Sequence, residues 1–361
     1  MVVGIDGRSL RGGPRARGVA RYLALTLEAL ASCRDAAPLA LRLLSFGPPD
    51  RRLPKEVEVI AARAPSQLLF GLAALSGRPQ LDRLLGRPDV VWLPAVAPVA
   101  LDRKARLVLT VHDLSFELAP RDYNAYERLW HRLARPARLA RRARTVIVPS
   151  QRTRQLLLER WRLPTERVRV IRPGPGRSPR TKRVPPPPGL EPRGYVLAVG
   201  ALEPRKRPDL LLAAFQAAQK RGLRARLVFA GDGPLRTRLG GEGVVLLGRV
   251  DDDELDALYA HALCLACPSR DEGFGFTPLE AASFGTPAVV SDLEVFRETL
   301  EGAALRFTPG DPQALADCLL ELERNEPLRR ELGARAALAA SALSWERSAR
   351  ELANVLREAA S

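Results

Sequence analysis

PSRDEGFGFTPLEAASFGTPAVVSD, Pro268 to Asp292, is the stretch on which the reading of the fold turns. The apolar run Leu263 to Cys267 that enters it has the length and composition of a buried parallel strand. Thr277-Pro278-Leu279-Glu280 has the form of a capping box, with Thr277 as N-cap, Pro278 as first helical residue and Glu280 reaching back. A short helix follows, Gly285 stops it, and Pro287 to Val290 forms the next strand. Strand, loop, helix and strand make the repeating unit of a parallel sheet. The loop, Asp271-Glu272-Gly273-Phe274-Gly275, is acidic and holds two glycines. Backbone amides in such a loop, with a helix N-terminus behind them, bind anions or ligand hydroxyls.

Glu272 and Glu280 are separated by seven residues, and EGFGFTPLEAASFGTP resembles the E-x7-E signature of glycosyltransferase family 4, retaining enzymes of the GT-B fold. The resemblance implies that Glu272 and the amides of Gly273, Phe274, Gly275, Phe276 and Thr277 hold a donor sugar. It implies that Glu280 accepts from the ribose hydroxyls of a sugar nucleotide. Taken singly, Glu280 is a capping residue and Glu272 a solvated acid; the whole pattern favours the functional reading.

Outward from this stretch, the chain is long enough for about two domains, and its apolar share is that of a soluble globular protein. No apolar run reaches membrane-spanning length, and Met1 to Asp6 lacks the layout of a signal peptide. Cys33, Cys264, Cys267 and Cys318 are too few and scattered for a disulfide framework, which points to the cytosol. Cys264 and Cys267 lie within one expected strand and are read as small core residues. The net charge is +16. Residues 1–172 hold 32 Lys+Arg against 15 Asp+Glu, while the rest holds 25 against 26, so the first half carries the whole excess. Such a surface suits an anionic partner.

Apolar runs at Val2–Ile5, Leu39–Ser45, Val57–Ile60, Val90–Leu93, Leu107–Val111, Thr145–Val148 and Val168–Ile171 predict strands. Helical patterns over Gly18–Ala31, Tyr123–Arg142 and Gln151–Trp161 separate some of them. The alternation resumes at Tyr195–Val199, Arg226–Ala230, Val244–Leu247, Leu263–Cys267 and Pro287–Val290. The expected architecture is α/β: two Rossmann-like, doubly wound parallel sheets facing across a cleft. Residues 1–172 form the first domain, for the acceptor, and the Pro-rich stretch 173–193 is a linker. Residues 194–344 form the second, for the nucleotide-sugar donor, and the helix over 345–360 returns to the first.

Val199 to Asp209, VGALEPRKRPD, is the first strand-to-helix loop of the second domain and sets three cations beside a helix start. It resembles the family's G-x-L-E-P-R-K loop, which implies that Gly200 lines the donor site and Lys206 holds the diphosphate. Ala201 stands where many relatives have arginine, and Arg205 is the candidate replacement. Gly12 and Gly13 in DGRSLRGGPRARGVARY match the family's phosphate-closing glycine loop loosely. His112-Asp113 after a strand resembles the motif facing the reacting sugar. Gly248-Arg249-Val250 matches the segment against which the base packs. His112, Glu272 and Lys206 are the catalytic candidates.

Asp251 to Glu254 is read as a capping box rather than a D-x-D metal site, and the resemblance implies no metal at the diphosphate. Asp252 or a neighbouring carboxylate is a candidate acceptor for the N1 and N2 hydrogens of guanine. Neither a complete G-x-G-x-x-G nor a G-x-x-x-x-G-K-[ST] loop is present. The non-enzyme alternative, a basic nucleic-acid-binding protein, fits the charge but not the 5% aromatic content or any recognised binding module. The resemblance implies a metal-independent hexosyltransferase without a cofactor, moving mannose from GDP-mannose with retention to a glycan or lipid-linked acceptor in polysaccharide biosynthesis. A UDP-sugar donor is the alternative. Arg128, Arg132, Arg135, Arg138 and Arg142 recur at helical spacing and predict one basic face, interrupted or bent at Pro136. Such a face would dock on an anionic membrane, on its inner surface.

Overall fold

Short apolar runs, buried on both faces in the central strands, build two separate parallel sheets. The computed structural model describes residues 1–10, 18–33, 39–47, 53–62, 65–177 and 187–361. Two units divide the chain: Met1–Gly174 with Ser344–Ser361, and Pro175–Leu343.

In the first unit, strands β1 (Val2–Asp6), β2 (Ala40–Ser45), β3 (Val57–Ala61), β4 (Val90–Leu93), β5 (Leu107–Thr110), β6 (Thr145–Val148) and β7 (Val168–Val170) form a parallel sheet. Its order is β3-β2-β1-β4-β5-β6-β7. The helices are α1 (Gly18–Ser32), α2 (Ser66–Ser76), α3 (Leu81–Leu84), α4 (Ser115–Leu118), α5 (Ala125–Ala134), α6 (Pro136–Arg142) and α7 (Gln151–Trp161). Each residue of β4 and β5 is buried, as a central strand covered by helices on both faces requires. The core gathers Leu93, Leu107, Leu109, Val146, Val148, Leu157 and Trp161.

The second unit contains β8 (Tyr195–Val199), β9 (Arg226–Ala230), β10 (Val244–Gly248), β11 (Cys264–Cys267), β12 (Ala288–Ser291) and β13 (Ala304–Phe307), in the order β10-β9-β8-β11-β12-β13. Its helices are α8 (Pro208–Lys220), α9 (Asp252–His261), α10 (Phe276–Ser283), α11 (Glu294–Thr299), α12 (Pro312–Arg324) and α13 (Glu326–Ser341). Side chains alternate faces along each strand. Val196, Leu227 and Phe229 therefore join Phe215 in one core layer, while Leu197, Val228 and Ala230 join Tyr259 and Phe296 in the other. Cys264 and Cys267 are both buried in β11. The final helix, α14 (Trp345–Ala360), packs on α1, β4 and β5 through a stripe that includes Leu352, Ala353 and Leu356.

The helical pattern over Tyr123–Arg142 is interrupted at Pro136, as expected, and forms two helices, because Pro136 lacks an amide hydrogen and crowds the preceding turn. Arg135 between them is left-handed, with φ 47 and ψ 59. The five arginines are thus divided, Arg128 and Arg132 on α5 and Arg138 and Arg142 on α6, with Arg135 between them. Arg128 turns back to the Tyr123 carbonyl at 2.8 Å, and Arg142 donates to the Asp102 carbonyl. The Pro-rich stretch is not a free spacer at its start. Pro175 to Arg177 belongs to the second unit, where Arg177 is tied to α9, as do residues 187–193; residues 178–186 lie outside the described ones.

Candidate functional site

In the second sheet the chain winds outward in opposite directions from β8 and β11, which puts the switch point of the sheet at the carboxyl ends of these neighbours. That is where a doubly wound sheet leaves a crevice. Gly200 leaves β8 with φ 125, a conformation costly for any residue with a Cβ. The chain then tightens into a 3-10 turn over Pro204–Lys206 before α8. From the other side, the Arg270 amide donates to the Arg205 carbonyl at 2.9 Å and ties the two loops together.

Glu272 sits where these loops meet. Its Oε1 accepts from the Lys206 ammonium and, at 2.8 Å, from the Ser269 hydroxyl. Arg205 lies 3.9 Å from Oε2 and donates to the Asp271 carbonyl at 3.4 Å. Burial alone would push the Glu272 carboxyl up. Lys206 and Arg205, with the hydrogen bonds from Lys206 and Ser269, outweigh burial and hold it below the usual carboxylate range. Cys267, nearby, behaves oppositely: burial first, and then the Glu272 charge, push its thiol up to about 11. It is therefore a protonated thiol at neutral pH, not a nucleophile.

The helix behind this loop departs from expectation. α10 begins at Phe276 after Gly275 in a left-handed conformation, φ 87 and ψ 49, with no side-chain cap. That turn starts the helix early, so Thr277 falls inside its first turn and is not the N-cap. Gly275 is required there, since a Cβ would come within 2.7 Å of the Phe296 ring. Phe274 is buried against the same core, and Phe276 packs beside it at 5.2 Å between rings. Glu280, freed from capping, is buried at 3% exposure and accepts from the Tyr259 hydroxyl at 2.8 Å. The Gly176 backbone lies against the same carboxylate: a Cβ there would stand 2.2 Å from Oε1. Tyr259→Phe should remove a charge-assisted hydrogen bond of roughly 1.5–3 kcal/mol. A thermal melt measures this directly; an unchanged midpoint would mean the bond contributes nothing.

At the start of α9, the Asp251–Glu254 capping box is complete, with bonds of 2.8 and 3.1 Å. Asp252, one of the carboxylates the sequence offered to a base, is half exposed and is held by a cation. Its Oδ1 pairs with Arg177 at 2.6 Å, and Asp256, buried on the same helix, takes the Arg177 Nε at 2.7 Å. Val250 is half-buried against the core beneath. Arg177, Tyr259, Gly176 and Asp256 escaped the sequence reading. A buried acid one turn into an amphipathic helix was the available signal for Asp256.

In the first unit, His112 follows β5 and its Nε2 donates to the Pro94 carbonyl at 2.8 Å, which fixes the tautomer. The Tyr22 ring meets it edge-on at 4.8 Å. Burial lowers its pKa, against the Pro94 hydrogen bond and the Asp113 charge. The imidazole is neutral at pH 7, and an NMR titration should place its midpoint below that of an exposed histidine; a midpoint above it would contradict this burial. Arg8, also unforeseen, stacks on Phe70 at 3.2 Å while pairing with Asp6 at 2.6 Å and the Pro98 carbonyl at 2.9 Å. Gly12 and Gly13 lie outside the described residues. The structure thus brings Gly200, Arg205, Lys206 and Glu272 to one sheet edge, with Glu280 on the helix behind, and sets His112 in the other unit.

Comparison with known proteins follows the same division. A family model described as Glycosyltransferase Family 4 matches residues 16–175, and one described as Glycosyl transferases group 1 matches residues 183–338. The chain belongs to glycosyltransferase family 4. Over 175 residues it is 31% identical to the O-antigen chain mannosyltransferase B of Escherichia coli, covering 46% of each chain. Over 196 residues it is 33% identical to a D-inositol 3-phosphate glycosyltransferase of Nocardioides sp., covering 47% of this chain and 42% of that one. The chain thus spans less than half the length of these curated relatives. The sucrose-phosphate synthase of Thermosynechococcus elongatus superposes with a TM-score of 0.74 over 99% of this chain and 98% of that one, at 18% identity. The fold is GT-B, built from two parallel α/β units.

Proposed function

We propose that this protein is a retaining glycosyltransferase that moves a sugar, mannose from GDP-mannose, to a glycan or lipid-linked acceptor. The observation that carries the reading is the cluster of Lys206, Arg205 and Glu272 at the strand switch point of the second sheet. A diphosphate at this edge would share the two cations with Glu272, and the amides of Gly273 to Thr277 would meet the sugar hydroxyls. The similarity to an O-antigen mannosyltransferase supports the sugar. A UDP-sugar is the alternative donor.

In the reaction, the bond between the anomeric carbon and the diphosphate oxygen breaks while the acceptor hydroxyl oxygen bonds to the same face of that carbon. The hydroxyl proton passes to the departing diphosphate. Lys206 and Arg205 stabilise the charge that develops on that leaving group, so the protein acts by placing groups and fixing charge.

A screen of nucleotide sugars, read as free nucleoside diphosphate by mass spectrometry, tests the donor. Release of GDP from GDP-mannose with an α-linked product by NMR is expected. Calorimetry with GDP and UDP provides the companion measurement, and tighter binding of UDP would replace the mannose assignment with the UDP-sugar reading.

A further inference from the structure

The first unit carries an apolar face on α2 and α5, apart from the Lys206–Glu272 cluster of the second unit. On α2, Leu69, Phe70 and Ala73 point into the core, while Leu68, Leu72 and Leu75 form an outward stripe with 57, 50 and 80% exposure. The sequence SQLLFGLAALS holds no charged residue. Packed beside it, α5 buries only Ala134 among its ten residues. Its apolar stripe, Tyr126, Leu129, Trp130 and Leu133, follows helical spacing, and Tyr126 and Leu129 are more than half exposed. The Arg8 guanidinium bridges the two helices, stacked on Phe70 and 5.7 Å from the Trp130 ring. Five of the nine exposed large apolar side chains among the described residues thus lie on two touching helices. Single exposed leucines need no explanation, but a clustered set of this kind marks an interaction surface.

Charge says which one. Arg121, Arg128, Arg132, Arg135 and Arg138 are all exposed on or beside α5 and α6, and Arg78 ends the segment after α2. The half of the chain that holds this face carries the entire positive excess. Leucines flanked by arginines complement acyl chains beneath anionic headgroups, the pattern of a helix lying in a membrane interface. Among the described residues no helix is long and apolar enough to cross a bilayer. We infer that the α2–α5 face docks reversibly on an anionic phospholipid surface, with Leu68, Leu72, Leu75, Tyr126 and Leu129 entering the interface. The break at Arg135 divides the expected basic stripe between two helices, and apolar insertion adds to it.

The inference stands apart from the donor reading and can be tested without nucleotide or acceptor. The full chain is mixed with neutral phosphatidylcholine vesicles, with vesicles containing phosphatidylglycerol, and with duplex DNA, then sedimented at physiological salt. Binding to the anionic vesicles is expected, with little to the neutral ones. Replacing Leu72 and Leu75 together by glutamate removes two leucines from the interface and should cut partitioning about tenfold or more. Both residues are exposed, so the melt and GDP binding should stay as in the parent. Arg128→Gln with Arg132→Gln should weaken binding and flatten its salt dependence. No binding to anionic vesicles, or binding untouched by the leucine changes, would overturn the proposal. So would preference for DNA, or a dimer in light scattering that the glutamates dissolve in the absence of vesicle binding.

Discussion

Lys206→Ala is expected to weaken nucleoside diphosphate binding by about one to two orders of magnitude, the worth of one charge-assisted hydrogen bond of roughly 1.5–3 kcal/mol. Turnover should fall further, because charge on the leaving group is greatest in the transition state. The same change acts on Glu272, which then keeps Arg205 at 3.9 Å and the Ser269 hydroxyl but loses its closest cation. The sign of the pH effect follows. The folded carboxyl of the parent is held below its unfolded value, so the pair stabilises the protein above the ordinary carboxylate pKa of about 4.3. That contribution disappears as pH falls through the lowered folded value. Melts of parent and variant should therefore differ at pH 6–8 and converge on acidification. Glu272→Gln separates the roles: it leaves Lys206 available to a diphosphate and should reduce turnover more than nucleotide affinity. Calorimetry with GDP and initial rates suffice, and a Lys206→Ala enzyme with parental affinity and rate would place the diphosphate elsewhere.

Much of this site could be read from the chain because it depends on local chemistry. Four- and five-residue apolar runs have few alternatives to buried parallel strands, and the loops that leave β8 and β11 at the switch point inherit their position from sheet order. What stayed hidden depends on contacts between residues distant in sequence. Thr277 has the local form of an N-cap, yet the Phe296 ring packs so closely on Gly275 that only a left-handed glycine fits, and the helix starts before Thr277. Glu280 finds Tyr259 across 21 positions, and Arg177 finds Asp252 and Asp256 across 75 and 79. No spacing rule reaches that far. Around Pro136 the arginine periodicity and its interruption could be read from the chain, but not the left-handed Arg135 that joins the two helices.

The largest stability effect is expected at a glycine that touches no ligand. Gly231, just after β9, has φ 156, and a Cβ there would lie 1.9 Å from the Gly200 carbonyl oxygen and 2.8 Å from its carbon. The obstacle is main chain, so no side-chain rotation relieves it. Around this contact the Gly200 amide donates to the Ala230 carbonyl at 3.0 Å and the Leu202 amide to the Asp232 carbonyl at 3.1 Å. Gly231→Ala must therefore push apart the two loops that hold the Gly200–Lys206 segment, break these bonds, or both. A cost on the order of 3 kcal/mol follows from forced overpacking combined with lost buried hydrogen bonds. Because that segment carries Lys206, GDP affinity should fall together with the melting temperature. Gly240→Ala, with open space around its Cβ, provides the control and should stay within about 0.5 kcal/mol of the parent. A Gly231→Ala protein that melts like the control would contradict the close packing itself. One that is destabilised yet binds GDP at parental strength would show instead that Lys206 holds its place without the loop beneath it.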